Sequence, residues 1–240
     1  MSREVISELG ESGTLRAGIN MSNPLLVTGR TDAGEPDGVA PDMARAVAEQ
    51  LGLAIRLVPF ASPGEVADAV SVNAWDIAFI GAEPSRAKTI AFSPAYVEIE
   101  ATYLVPAGST LASVAEVDRP GVRIAVSERS AYDLYLARTI KHAELCRAKG
   151  LAGAFDLFVG EKMDALAGLR PALNANAEAL SGARVLDGAY TTVQQAIGTK
   201  PENIATAAFL QAFVSKAKES ALVARLIARH GVEGKLQVAG

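Results

Sequence analysis

The chain reads as an α/β protein built on mostly parallel sheets. Three observations carry that reading: half of its 240 residues are hydrophobic, short strand-like runs alternate with helix-period segments, and Gly or Pro stands where the period changes. Spacing alone admits two organisations, two α/β lobes joined by two crossings or one continuous doubly wound domain.

The elements follow in order. Thr14-Leu-Arg-Ala-Gly-Ile19 reads as a strand, with a loop from Asn20 to Pro24. From Asp42, the spacing of Met43, Val47 and Leu51 gives a helix that covers a sheet and stops at Gly52. Ile55 and Leu57 alternate in a strand closed by Pro59; a helix through Val66, Ala69 and Val70 follows, and Asp76-Ile-Ala-Phe-Ile80 is a buried strand. The rhythm breaks after Arg86, and Ile99 to Val105 forms a longer strand suited to a crossing. A second α/β unit then has a strand at Val122–Val126, a helix across Tyr132 to Ala143, a strand at Phe155–Val159 and a short helix at Asp164–Leu169. Arg184–Leu186 and Val193–Ile197 carry the chain back. Two helices close it, with apolar positions at Ala208, Ala212 and Ser215, then at Leu222, Leu226 and Ile227.

Bulk properties exclude several classes. A net charge of −4 and the absence of any sustained Lys/Arg run argue against a nucleic-acid partner. Cys146 is the only cysteine, so no internal disulfide forms, and His142 and His230 cannot build a multi-imidazole metal site. Cys146 and His142 read as residues of one ordinary helix rather than a nucleophile pair. Met1 to Gly10 has scattered acids and no apolar core, unlike a signal peptide, and no stretch approaches a membrane span. Either a cytoplasmic location or an already removed leader is compatible with that. No cofactor or metal is expected.

Gly13-Thr-Leu-Arg-Ala-Gly, Gly38-Val-Ala-Pro-Asp-Met-Ala-Arg-Ala-Val-Ala-Glu-Gln-Leu-Gly, Trp75-Asp-Ile-Ala-Phe and Pro84-Ser-Arg-Ala-Lys-Thr-Ile-Ala-Phe-Ser-Pro-Ala-Tyr resemble the amino-acid-binding, family 3 solute-binding proteins. Pro120-Gly-Val-Arg-Ile-Ala-Val resembles that family's entry into its second lobe, and Asp156-Leu-Phe-Val-Gly-Glu161 its later cleft strand. The resemblance implies a type II periplasmic-binding-protein fold that closes on a polar solute without catalysis. It also implies a monomer that is periplasmic, does not insert in the membrane and delivers to an ABC permease. Residues 1–98 plus 192–240 would form lobe 1 and 99–191 lobe 2, with the ligand between them.

The same resemblance names candidate ligand contacts. Arg86 matches the arginine that grips a ligand carboxylate, for which the guanidinium supplies two parallel charge-assisted donors; a surface ion pair is the alternative. Gly81 permits close backbone approach where the strand turns toward the ligand, or simply makes a turn. Asn20 and Asn23 occupy the first loop, as solute contacts or as turn formers. Arg129, Ser130 and Tyr132 stand at a helix N-terminus after the second-lobe strand. Glu161 matches the acid that receives an α-amino group, and Glu83 is read as a helix cap.

Departures from the pattern bear on the solute. The segment from Asp76 to Arg86 is two residues shorter than in typical relatives, lacks their Ser/Thr hydroxyl, and Asn20 to Leu25 lacks their aromatic ring. The resemblance therefore favours a carboxylate-bearing or zwitterionic solute over a standard amino acid. Two alternatives remain: a lyase of the cyclohexadienyl-dehydratase kind with Glu161 as general acid, and a cytoplasmic solute sensor or scavenger.

Overall fold

The computed structural model describes residues 2–9 and 13–240. Met1 and Gly10, the ends of the segment read above for a leader, lie outside the described residues.

The first half of the chain runs α1 (Ser2–Leu9), β1 (Thr14–Asn20), β2 (Gly29–Arg30), β3 (Pro36–Asp37), α2 (Val39–Leu51), β4 (Ala54–Phe60), α3 (Pro63–Asp68), β5 (Ile77–Gly81), β6 (Ala91–Phe92) and β7 (Val97–Val105). The second half runs β8 (Arg123–Ser127), α4 (Ala131–Thr139), β9 (Glu144–Ala148), α5 (Gly150–Gly160), β10 (Ala165–Leu169), α6 (Arg170–Glu178), β11 (Arg184–Val185), β12 (Thr191–Thr199), α7 (Ile204–Glu219), α8 (Leu222–Arg229) and β13 (Gln237–Val238). The chain divides into two compact units, Met1–Glu98 with Gln194–Gly240, and Ile99–Val193. Strands β7 and β12 each begin in one unit and end in the other.

In the first unit β1 pairs in parallel with β4 and β5, and β12 runs antiparallel beside β5. Arg16 locks this centre: its Nε and Nη2 donate to the Asp76 carboxylate, and its Nη1 to the Asn73 carbonyl at 2.6 Å. Met43, Val47 and Leu51 are buried on α2, and Gly52 ends the helix in the left-handed conformation at φ 69°. Strand β4 continues through Pro59, which pairs in register with Ile19. Proline is tolerated there because β4 is an edge strand with β1 as its ladder partner. Trp75 is fully buried, donates its indole N–H to the Val66 carbonyl and packs in the core rather than facing a ligand.

The closing helices keep the expected places, but the buried stripe of α7 is Phe209, Leu210, Phe213, Val214 and Ala217. Ala208, Ala212 and Ser215 face solvent. The larger side chains win the sheet-facing side because they remove more apolar area from water. Glu8 on α1 completes this end: its carboxylate accepts the main-chain N–H groups of Ala205 and Thr206 at 2.9 and 2.8 Å. It thereby satisfies two of the free donors at the start of α7.

In the second unit β8 lies between β9 and β10, all parallel, and β7 runs antiparallel to β10. Phe158, Met163 and Leu173 pack with Leu104, Ala125 and Leu166 in one buried cluster. Strand alternation turns Tyr103, Ala167 and Leu169 to the other face.

Two expected elements exchange type here. Phe155–Val159 belongs to helix α5, and Asp164–Leu169 contains strand β10. Ala154 and Phe158, four residues apart, are the buried positions of α5, which is helical spacing. All five residues of β10 are buried, so covering of both faces erases the alternation that marks a strand. Helix α4 ends at Thr139, and Cys146 lies on strand β9 beside Ala125 instead of on a helix with His142. Burial pushes the Cys146 thiol up, with Glu144 adding to it and Arg123 opposing, so the sulfur stays protonated at neutral pH.

Candidate functional site

In open α/β sheets, ligand contacts gather outside the carboxyl ends of the parallel strands. In the first unit these ends are Asn20 of β1, Phe60 of β4 and Gly81 of β5. Asn20 Oδ1 accepts from the Ser22 N–H at 3.1 Å and from the Ser22 hydroxyl at 2.8 Å. Asn23 is buried; its Oδ1 accepts from Leu25 N–H and its carbonyl from Leu26 and Val27 N–H. Both asparagines thus shape the loop that follows β1. Gly38 seats that loop against the start of α2, since a Cβ there would lie 2.4 Å from the Leu26 carbonyl oxygen and its φ is 146°.

Gly81 pairs with Gln195 of β12, and its carbonyl accepts from Arg86 Nη1 at 2.7 Å. Arg86 is 5% exposed and begins a single 3-10 turn. The Glu83 carbonyl closes this turn by accepting the N–H groups of Arg86 and Ala87, both at 2.9 Å. The short segment after β5 therefore holds a guanidinium at the strand's end, with one Nη on a main-chain carbonyl.

In the second unit the corresponding ends are Ser127 of β8, Ala148 of β9 and Leu169 of β10. Between Ser127 and α4 the chain turns through Arg129, whose φ of 56° is left-handed. Ser130 is the N-cap of α4 and its Oγ accepts the Asp133 N–H at 3.1 Å. Asp133, 3% exposed, reaches back to accept the Arg129 N–H at 2.7 Å and also takes Arg147 Nε at 2.9 Å. This is a capping box whose acid serves the residue before the cap, and Ser62 with Glu65 builds the same arrangement at α3. Asp133 was not among the expected site residues; the Ser-x-x-Asp spacing from Ser130 is the sequence signal that marks it.

Tyr132, in the first turn of α4, is 4% exposed, and its buried hydroxyl lies near the Ser127 and Ser130 hydroxyls without reaching good hydrogen-bond geometry with either. Burial pushes its phenol up to about 12, Ser130 and Ser127 oppose that, and Asp133 adds to it. Tyr190 precedes β12, donates its N–H to the Ala101 carbonyl, and also buries its hydroxyl. Its ring centroid lies 4.6 Å from Tyr103 and 6.0 Å from Tyr135. No spacing rule ties Tyr190 to Tyr132; tertiary folding alone brings them to one end of the unit.

Glu161 lies elsewhere. It is the C-cap of α5, and its carbonyl accepts from Arg123 Nη2 at 3.1 Å. Arg123 is the first residue of β8, so Glu161 stands at the amino end of the parallel strands, opposite Arg129, Ser130 and Tyr132. The expectation of a cleft strand ending in Glu161 fails because the preceding residues form a helix. At the same end a pocket of about 380 Å³ is lined by apolar side chains that include Phe158, Met163 and Leu180, with Lys162 and Asp164.

One group among the described residues has metal-like spacing: Asp37, Asp42 and His230, with ligand atoms within 4.8 Å of one another. Asp42 is already paired with Arg45 at 2.9 Å, His230 at 2.9 Å and Arg229 at 3.3 Å, so these contacts knit α2 to the end of α8. Among the described residues no helix is long and apolar enough to cross a membrane.

Solved structures similar to this chain include a mutant of ArgBP from T. maritima, at 19% identity over 95% of this chain and 100% of that one, TM-score 0.76. They also include AncCDT-1, an ancestral amino acid-binding protein and precursor of cyclohexadienyl dehydratase, at 21% identity over 93% and 97%, TM-score 0.76. A third is AbpA, an amino acid ABC transporter substrate-binding protein from Streptococcus pneumoniae bound to L-arginine, at 18% identity over 94% and 97%, TM-score 0.76. No curated protein matches the chain. At these identities the likenesses establish the fold, the type II periplasmic-binding-protein fold with mixed sheets and flanking helices. The family described as bacterial extracellular solute-binding proteins, family 3, matches residues 15–233, nearly the whole length, and the chain belongs to that family.

Proposed function

We propose that this protein captures a small carboxylate-bearing solute for an ABC permease and does not transform it. The carrying observation is Arg86: a buried guanidinium at the carboxyl end of β5, oriented by the Gly81 carbonyl. A guanidinium is planar and permanently charged, the kind of group that pairs with a carboxylate, and burial at a strand end strengthens that attraction. Asn20, Asn23 and Gly81 stand at the same end of the first unit and are assigned to the solute with it. Arg129, Ser130 and Tyr132 stand at the equivalent end of the second unit and are assigned to solute contact there. In this reading the two units are the lobes of a hinged binder, with β7 and β12 as the crossings. Family membership and the amino-acid-binding functions of the fold's solved examples support it.

Glu161 is left out of the site, and the lyase reading that depended on it loses its proposed acid. Denaturing natively purified protein and examining the released small molecules by mass spectrometry tests the proposal. A carboxylate-bearing molecule at near-stoichiometric amount from the parent protein, and its loss from Arg86→Ala, is the expected result. Equal occupancy in Arg86→Ala would remove Arg86 as the anchor.

A further inference from the structure

Three elements of the first unit bring metal-ligating side chains together. Asp37 closes β3, Asp42 lies in the first turn of α2, and His230 caps the end of α8. A carboxylate oxygen of each aspartate and a ring nitrogen of His230 all lie within 4.8 Å of one another. The backbone holds each in place: the Asp37 carbonyl accepts the Thr28 N–H at 2.9 Å, and the Asp42 and His230 N–H groups bind the Gly38 and Leu226 carbonyls at 3.0 and 3.1 Å.

Contacts within the protein account for only part of this cluster. Asp42 Oδ1 takes Arg45 Nη1 at 2.9 Å, while Oδ2 faces His230 Nε2 at 2.9 Å and Arg229 Nη1 at 3.3 Å. The Asp37 carboxylate has no hydrogen bond or ion pair among the described residues, so it brings a second negative charge to the imidazole with no partner of its own. The His230 side chain is only 6% exposed, which fixes its ring. Arg229 is 71% exposed, and an ion pair at that exposure is weak and gives way readily. Arg45 plays a different part. By holding Oδ1 it orients the Asp42 carboxylate and leaves Oδ2 to ligate, as hydrogen bonds to ligating carboxylates do at metal sites.

One imidazole nitrogen with two carboxylate oxygens suits zinc, which can complete a tetrahedron with water. Bonds of about 2.0–2.2 Å set tetrahedral ligand atoms roughly 3.4 Å apart, a contraction within reach of side-chain rotation at Asp37. We propose that Asp37, Asp42 and His230 bind one zinc ion. The ion takes the place of the hydrogen shared by His230 Nε2 and Asp42 Oδ2, releases Arg229 to solvent and cross-links β3, α2 and α8. The site lies wholly in the first unit and does not depend on the proposed solute function.

Titration calorimetry of the full, metal-free chain with zinc chloride tests the proposal. The parent should bind one zinc with a dissociation constant in the micromolar range or tighter, and Asp37→Asn and His230→Ala should each weaken it at least about tenfold. Zinc should raise the melting temperature of the parent by several degrees, EDTA should reverse the rise, and neither variant should show it. Asp37→Asn removes no contact within the protein, so without zinc it should melt with the parent, and it carries the test even where His230→Ala folds poorly. Calcium and magnesium prefer all-oxygen shells and should give no comparable rise. Arg86→Ala should bind zinc as the parent does. No binding at about 100 μM zinc overturns the proposal, as does affinity unchanged in Asp37→Asn. So does affinity lost in Cys146→Ser or Arg86→Ala, which would place the ion elsewhere. Calcium binding as tight as zinc would remove His230 as a ligand and overturn it too.

Discussion

Asp133→Asn is the most informative structural perturbation, because one carboxylate holds the whole turn that presents Arg129, Ser130 and Tyr132. The carboxylate has two acceptor contacts, the Arg129 N–H at 2.7 Å and Arg147 Nε at 2.9 Å. Asparagine keeps one oxygen and turns an amide NH₂ toward the other donor. If the oxygen stays with Arg147, the Arg129 N–H faces a donor in a left-handed turn that has little slack. A hydrogen bond involving a charged group is worth about 1.5–3 kcal/mol. Arg147 is 43% exposed and regains water, so its share is discounted toward the surface value of under about 1 kcal/mol. The expected total is about 2 kcal/mol. For a chain of this size that lowers the melting temperature by roughly 4–8 °C. Differential scanning calorimetry without solute measures it, with Arg147→Ala as the control expected to cost about half as much. A variant that melts within a degree of the parent would show that Asp133 does not hold the turn.

Glu8→Gln should lower the melting temperature by roughly 2–4 °C at neutral pH, from about 1 kcal/mol of capping at α7. Partial burial raises the Glu8 pKa, but the N–H groups of Ala205 and Thr206 and the Thr206 hydroxyl outweigh it, leaving the folded value below the ordinary one. A depressed carboxyl stabilises above its unfolded pKa and loses that contribution as pH falls through the folded value. The gap between parent and variant should therefore shrink below about pH 4, and a gap that grows on acidification would contradict the assignment. Gly198→Ala places a Cβ 2.3 Å from Ile90 Cγ2 and 3.2 Å from Phe92 Cε1. Ile90 is 1% exposed and cannot swing aside, so overpacking should cost about 1–3 kcal/mol, and an unchanged thermal midpoint would refute the packing of β12 on Ile90.

The fold was legible at α2, where one face of the helix meets water. Met43, Val47 and Leu51 gave α2 its period, and Gly52 its end, as the structure has them. Legibility failed where both faces are covered: β10 is buried throughout, and a run without alternation carries no sign of its own type. That single exchange moved Glu161 from a strand end to a helix cap at the opposite end of the unit. Arg86 was readable because its turn is local, closed by Glu83 three residues earlier. Asp133 was readable in principle from its distance to Ser130, whereas Tyr190 meets Tyr103 only through the return of the chain to β7.

The central claim is that Arg86 anchors a solute carboxylate. Titration calorimetry on refolded, solute-free protein, using the molecule recovered from the native preparation, tests it most directly. Losing two charge-assisted hydrogen bonds at about 1.5–3 kcal/mol each predicts that Arg86→Ala weakens binding by at least about 100-fold. Arg86→Lys, which keeps charge but not the planar fork, should fall between the two. Equal affinities for the parent, Arg86→Lys and Arg86→Ala would contradict the account.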